Sequence, residues 1–100
     1  MLSSVRAEFE TFTAALAQSW NAELLQEVGH AIYREMVEYG CTYWLAPAVN
    51  IHRNPLCGRN FEYYSEDPRL TGLLAAAITR GVQSEPGLYV TVKHFACNNQ

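Results

Sequence analysis

Two short segments hold most of the residues with chemistry to offer. In "CGRNFEYYSEDP", Cys57 to Pro68, one Arg, three acids and three aromatic rings share the space with a Gly. In "KHFACNNQ", Lys93 to Gln100, a Lys and a His precede a run of amide side chains. Arg59 carries five N–H donors in a fixed fork, so a carboxylate such as Glu62 can hold part of the guanidinium while the other donors face an oxygen-rich ligand. The plainer alternative is an Arg59–Glu62 ion pair that only pins the loop. Lys93 and His94, taken with Asn98, Asn99 and Gln100, suit a hydroxylated ligand, because every sugar hydroxyl both donates and accepts. Their plainer alternative is an exposed Lys beside a His bonded into the core. Neighbours on a regular strand face opposite sides, so only a distorted strand end aims both at one site.

His52, Cys57, His94 and Cys97 are zinc-ligand types at spacings H-x4-C and H-x2-C, but no C-x2-C pair accompanies them. A small zinc-binding domain on these four residues is one reading, which metal analysis of the purified chain decides; otherwise no metal and no cofactor is expected. Trp44, Phe61, Tyr63 and Tyr64 are read as core or loop-packing residues, with a ring stacked on a sugar face as the functional alternative.

These segments need elements to position them. From Asn21 to Tyr39 the apolar residues Leu24, Leu25, Val28, Ile32 and Met36 recur at helical spacing, which predicts one buried stripe. Asn21 is its expected cap, Glu23 sits favourably at the positive end, and Gly40 supplies the left-handed stop. "FTAALAQSW" predicts a short helical turn upstream, and the first ten residues carry no clear signal. "CTYWLAPAVNI" predicts a buried strand over about Tyr43 to Ala46, ended by Pro47. Val49 to Asp67 has no period and is punctuated by Pro55 and Gly58, so it is a long loop. Asp67 and Pro68 then start a second helix, which carries Leu70, Leu73, Leu74, Ala77 and Ile78 to about Val82. "SEPG" breaks it, and "LYVTVKHF" predicts a second strand.

The order helix, strand, long loop, helix, strand points to an α/β fold with a parallel sheet. Each polar cluster follows a strand, at the carboxyl end where α/β folds gather binding residues. Two strands and two helices leave sheet edges and apolar stripes without partners, so more chain is expected to belong on each side.

Composition narrows the partners. Seven Lys plus Arg against ten Asp plus Glu give a net charge of −3 with no basic cluster, so no nucleic acid is expected. The longest strongly apolar run, Leu73 to Ile78, is far short of the roughly 20 residues of a membrane span, and no membrane partner is expected. "MLSSVRAEFE" does not have the form of a secretion signal, which makes the expected location cytoplasmic. Three widely spaced cysteines, an odd number, are expected as reduced thiols.

"LAPAVNIHRNPLCGRNFEYYSEDPRLTG" followed by "GVQSEPGLYVTVKHFACNNQ" closely resembles the N-terminal catalytic domain of family 3 glycoside hydrolases, the β-glucosidase group. "ALAQSWNAELLQEVGHAIYREM" is similar to that family's helix, so the resemblance covers about Ala14 to Gln100. It implies that residues 1–100 are a partial domain, a fragment of a (β/α)8 TIM-type barrel. It also implies hydrolysis of β-linked glucosides or related sugars with retention, through two carboxyl groups. In the family the nucleophile is an Asp in a Ser-Asp-Trp type motif downstream of the Lys-His pair, and the acid/base Glu lies in a later domain. Neither motif is in this sequence, so the chain alone is expected to be inactive. Glu62, Glu66 and Asp67 do not fill those roles: Asp67 is the helix cap, and Glu62 orients Arg59 or Lys93.

By the same resemblance Arg59, Lys93 and His94 bind the hydroxyls of the glucosyl unit, with Glu62 and Asn98 behind them. An irregular backbone, with a non-proline cis bond, is implied near Lys93 to Phe95. One departure stands out: "TFTAALA" lacks the Pro of the family's Phe-Pro-Thr-like start, and the family's first strand with its sugar-binding Asp has no counterpart in the dozen residues before it. The expected partners are thus a β-glucoside or related sugar and the remainder of the barrel. A second reading is a non-catalytic carbohydrate-binding or interaction module, completed by self-association through its open edges; a defined oligomer supports it, and aggregation supports the fragment.

Overall fold

A computed structural model of the chain describes residues 13–94 and 96–98. The expectations for residues 1–12, including the family's first strand, and for Phe95, Asn99 and Gln100 lie outside the described residues. Helix α1 spans Thr13–Gln18, α2 spans Ala22–Tyr39 and α3 spans Pro68–Val82; strands β1 and β2 are Tyr43–Trp44 and Tyr89–Val90.

The helix ends form as their residue types require. Asn21 Oδ1 accepts the Leu24 N–H at 3.0 Å and starts α2. Gly40, at φ 71°, ends it by donating to the carbonyls of Met36 and Val37. At α3, Asp67 Oδ1 accepts from the N–H groups of Arg69 and Leu70, and Pro68 occupies the first turn without forfeiting a bond.

Leu25 and Met36 of α2 are buried, as are Leu74, Ala77 and Ile78 of α3. Leu24 and Leu73, expected in the same stripes, face outward, Leu73 with 58% of its surface exposed. The buried face of α2 is narrower than expected, whereas that of α3 is shifted, with Thr71, Ala75, Gly81 and Val82 buried in place of Leu73, and the two helices meet through glycine. A Cβ on Gly29 would lie 2.3 Å from the Ile78 carbonyl oxygen, and one on Gly81 would lie 2.1 Å from that of Gln26. The two backbones therefore come into direct contact at the crossing. Ala17 and Tyr64 complete this core, and Trp44 and Leu70 pack against it.

The strands are parallel, with Tyr43 opposite Tyr89 and Trp44 opposite Val90. They are shorter than the sequence predicts. Pairing resumes at Ala48, which bridges both Lys93 and Tyr63. From Trp44 to Ala48 is four steps and from Val90 to Lys93 is three, so β1 carries one extra residue between the pairings, a bulge. Pro47 lies in that bulge with no N–H to donate, and the Thr91 N–H is shared between the carbonyls of Trp44 and Ala46. Among the described residues no helix is long and apolar enough to cross a membrane.

Candidate functional site

The loop that follows β1 is irregular but heavily bonded. His52 Nε2 lies 2.9 Å from the Asn60 carbonyl and 3.1 Å from that of Tyr63, so it donates to both and holds the turn from inside. Asn60 Nδ2 donates to the Asn54 carbonyl at 2.8 Å. Within this frame residues Asn60–Glu62 make one 3₁₀ turn, closed by the Tyr63 N–H donating to the Asn60 carbonyl. A single tight turn places Arg59 and Glu62 side by side, because residues three apart eclipse in 3₁₀ geometry.

Glu62 is the centre of the site. Its side chain is 2% exposed, and its two oxygens serve two cations: Oε1 accepts from Arg59 Nε, and Oε2 accepts from Lys93 Nζ at 2.9 Å. Burial by itself would raise the Glu62 pKa. Hydrogen bonds from Arg59 and Lys93, together with their charges, outweigh that cost and hold the carboxyl below its ordinary value. The Arg59–Glu62 pair therefore does more than pin its own loop, since it also captures a cation from the end of the other strand. The Arg59 side chain keeps 44% of its surface exposed.

His94 stands next to this pair and is held at three points. Its backbone N–H donates to Asn50 Oδ1 at 2.7 Å. Its Nδ1 lies 2.9 Å from Tyr63 Oη and 3.4 Å from Asn98 Nδ2, which also donates to Tyr63 Oη at 2.6 Å. Burial first, and then the Arg59 charge, lower the His94 pKa, with Lys93 adding to the shift and Glu62 opposing it. These effects favour the neutral ring over the charged one. The peptide bond between Lys93 and His94 is cis. The two side chains, which a regular strand would send to opposite faces, reach the adjacent residues Glu62 and Tyr63.

Every candidate of the glycone set that lies in the described residues is in one place: Arg59, Lys93, His94, Glu62 and Asn98. Two participants hold positions that the sequence did not point to: Asn50 was not singled out, and Tyr63 was read as a packing or stacking ring. Asn50 is a buried polar residue whose partner is distant in the chain, and no spacing announces it. Tyr63 is fully buried, as a packing residue should be, yet its hydroxyl joins His94 to Asn98. Tyr64 belongs to the core and Phe61 is exposed. The four zinc-ligand types do not assemble. His52 Nε2 is occupied by carbonyls, Cys57 Sγ donates to the Asn98 carbonyl, His94 Nδ1 bonds Tyr63, and among the described residues no three metal-ligating side chains form a group.

Residues 11–100 match the Glycosyl hydrolase family 3 N terminal domain. The chain belongs to this family. Beta-glucosidase A of Butyrivibrio fibrisolvens is 58% identical over 85 residues, which is 85% of this chain and 10% of that protein. The exo-alpha-(1->6)-L-arabinopyranosidase of Bifidobacterium longum is 52% identical over 87 residues, 87% of this chain and 11% of that protein. Among solved structures, beta-glucosidase 3B of Thermotoga neapolitana in complex with glucose superposes with a TM-score of 0.83 at 59% identity, covering 88% of this chain and 12% of that one. The family 3 chain is accordingly an α/β fragment of a TIM-type barrel, and its parallel β1–β2 pair is part of the barrel wall. It spans about a tenth of the length of these relatives. In the family 3 frame the loop after β1 and the end of β2 lie at the carboxyl rim, where barrel enzymes build their sites.

Proposed function

We propose that this family 3 segment forms the glycone-binding wall of a retaining glycoside hydrolase that acts on β-glucosides. The observation that carries this reading is the buried Glu62 carboxylate, which holds Arg59 from one loop and Lys93 from the other beside a neutral His94. Anchoring both cations on one carboxylate fixes their positions before a ligand arrives. Held in this way, Lys93 can turn its other N–H donors to sugar hydroxyls with little reorganisation. Such contacts tighten as the ring flattens toward an oxocarbenium-like transition state, so they favour the reaction more than ground-state binding.

Two of the three carboxylates of the central loop, those of Glu62 and Asp67, are already engaged. Glu62 has both oxygens in ion pairs, and Asp67 caps α3. The family resemblance assigns the nucleophile and the acid/base group to other parts of the protein. Relatives named β-glucosidases and an arabinopyranosidase both resemble this chain at more than half identity. The glycone is thus tested with nitrophenyl β-D-glucopyranoside against nitrophenyl α-L-arabinopyranoside. With the preferred substrate, Arg59→Ala and Lys93→Ala in the purified protein are each expected to lower kcat/KM by about 10²-fold to 10³-fold. Turnover unchanged in both variants would falsify the assignment.

A further inference from the structure

The hydrogen bonds behind His94 have a direction. Asn98 Nδ2 is a donor only, and it lies 2.6 Å from Tyr63 Oη and 3.4 Å from His94 Nδ1. Tyr63 Oη therefore accepts from Asn98. Its own single proton points along the 2.9 Å contact to His94 Nδ1. Nδ1 is then the acceptor of the neutral imidazole, and the ring proton sits on Nε2, which has no hydrogen-bond partner among the described residues. The ring is fixed as well as the proton. Tyr63 meets His94 edge to face at 5.9 Å, and Tyr63 itself is fully buried against Ala48 and Cys57. Cys57 Sγ donates to the Asn98 carbonyl at 3.7 Å, which ties the far end of the chain to the same small cluster.

We infer that Tyr63 and Asn98 are positioning residues that lock His94 with its proton on Nε2, so that His94 meets one hydroxyl of the bound sugar strictly as a donor. This rests on the reading of His94 as a glycone contact and adds the polarity of that contact. The sugar oxygen opposite His94 is used as an acceptor. A ligand that keeps an acceptor there but lacks the hydroxyl proton retains part of the interaction, whereas one that lacks the oxygen loses all of it.

The test is equilibrium binding, by calorimetry on the purified full-length protein, of glucose and its monodeoxy and monodeoxyfluoro analogues. In the parent protein one ring position is expected to show about a tenfold loss on deoxygenation, the worth of one well-aligned hydrogen bond, and a smaller loss on fluorination. His94→Ala abolishes the discrimination at that position. Tyr63→Phe keeps the ring and removes only the hydroxyl, and it is expected to erase the same discrimination while the other positions keep theirs. A general loosening of the fold would instead weaken all analogues alike. Asn98→Leu makes the same comparison from the other end of the chain and decides the matter if Tyr63→Phe does not fold.

Discrimination that survives in Tyr63→Phe, an even loss at every position, or a fluoro analogue no better than the deoxy one overturns the inference. If His94→Ala leaves every position as it was, the failure belongs to the glycone reading of His94 itself.

Discussion

Lys93 Nζ lies 2.9 Å from Glu62 Oε2, joining the end of one barrel strand to the loop that follows its neighbour. Glu62 is almost wholly buried and Lys93 largely so, and their contact operates where solvent screens little, whereas the contact from the half-exposed Arg59 is screened more. Both cations stabilise the buried carboxylate, and the carboxylate in turn helps to place them.

Glu62→Gln removes that shared charge while keeping the shape. It leaves Lys93, mostly withdrawn from water, without its counter-ion. A loss of about 2 kcal/mol in unfolding free energy is expected, discounted for the exposure of Arg59. Denaturant titration measures it, and a variant as stable as the parent contradicts the role given to Glu62.

Acidification should act on stability through two groups of the site. Glu62 has a depressed pKa in the folded state, so its contribution is fully present above the ordinary 4.5 and is lost as pH falls through the lowered value. His94 is also depressed from 6.5, and it resists a proton that the unfolded chain accepts, so stability begins to fall as pH drops below 6.5. Unfolding midpoints followed from neutral to acid pH should therefore decline in two stages. Glu62→Gln is expected to flatten the lower stage and, by removing the charge that opposes the His94 shift, to deepen the upper one.

Gly81→Ala tests the helix crossing. Alanine is the better helix former, yet its Cβ would meet the Gln26 carbonyl oxygen at 2.1 Å and Gly29 Cα at 2.8 Å, both backbone atoms that cannot swing aside. The overpacking is expected to cost about 2 kcal/mol. Gly72→Ala on the same helix meets nothing within 4 Å and is expected to gain about 0.5–1 kcal/mol. Thermal midpoints that move in the same direction for both variants would contradict the close approach.

Asp67→Ala removes the cap of α3 and is expected to cost about 1 kcal/mol, with Asp67→Asn nearly neutral because the amide oxygen still accepts from the first turn. Since Asp67 is assigned no catalytic part, kcat for glucoside hydrolysis should hold in both variants once they are folded.

Much of the architecture was legible in the chain itself. The limits of α2 and α3 follow from Asn21, Gly40, Asp67 and Pro68, whose effects are local and need no knowledge of distant residues. A resemblance carried by two motifs also named Arg59, Glu62, Lys93, His94 and Asn98, which the fold brings together. Less could be read of the strands, because the Pro47 bulge interrupts a ladder whose hydrogen bonds depend on the partner strand. The glycine crossing was silent for a similar reason: Gly29 and Gly81 look like mild helix breakers until the two helices are brought together.

What residue order determined by itself, then, was the set of elements, their caps and the inventory of polar groups, since each depends on neighbours within a turn or two. What only the tertiary structure decided was how those groups engage one another. Glu62 could have served Arg59, Lys93 or neither; Tyr63 carried no sign that its hydroxyl would bridge His94 and Asn98; and Asn50 had no visible partner. Hydrogen bonds are short and directional, so their pairing across distant parts of the chain is set by where the backbone folds, which spacing along the sequence does not encode.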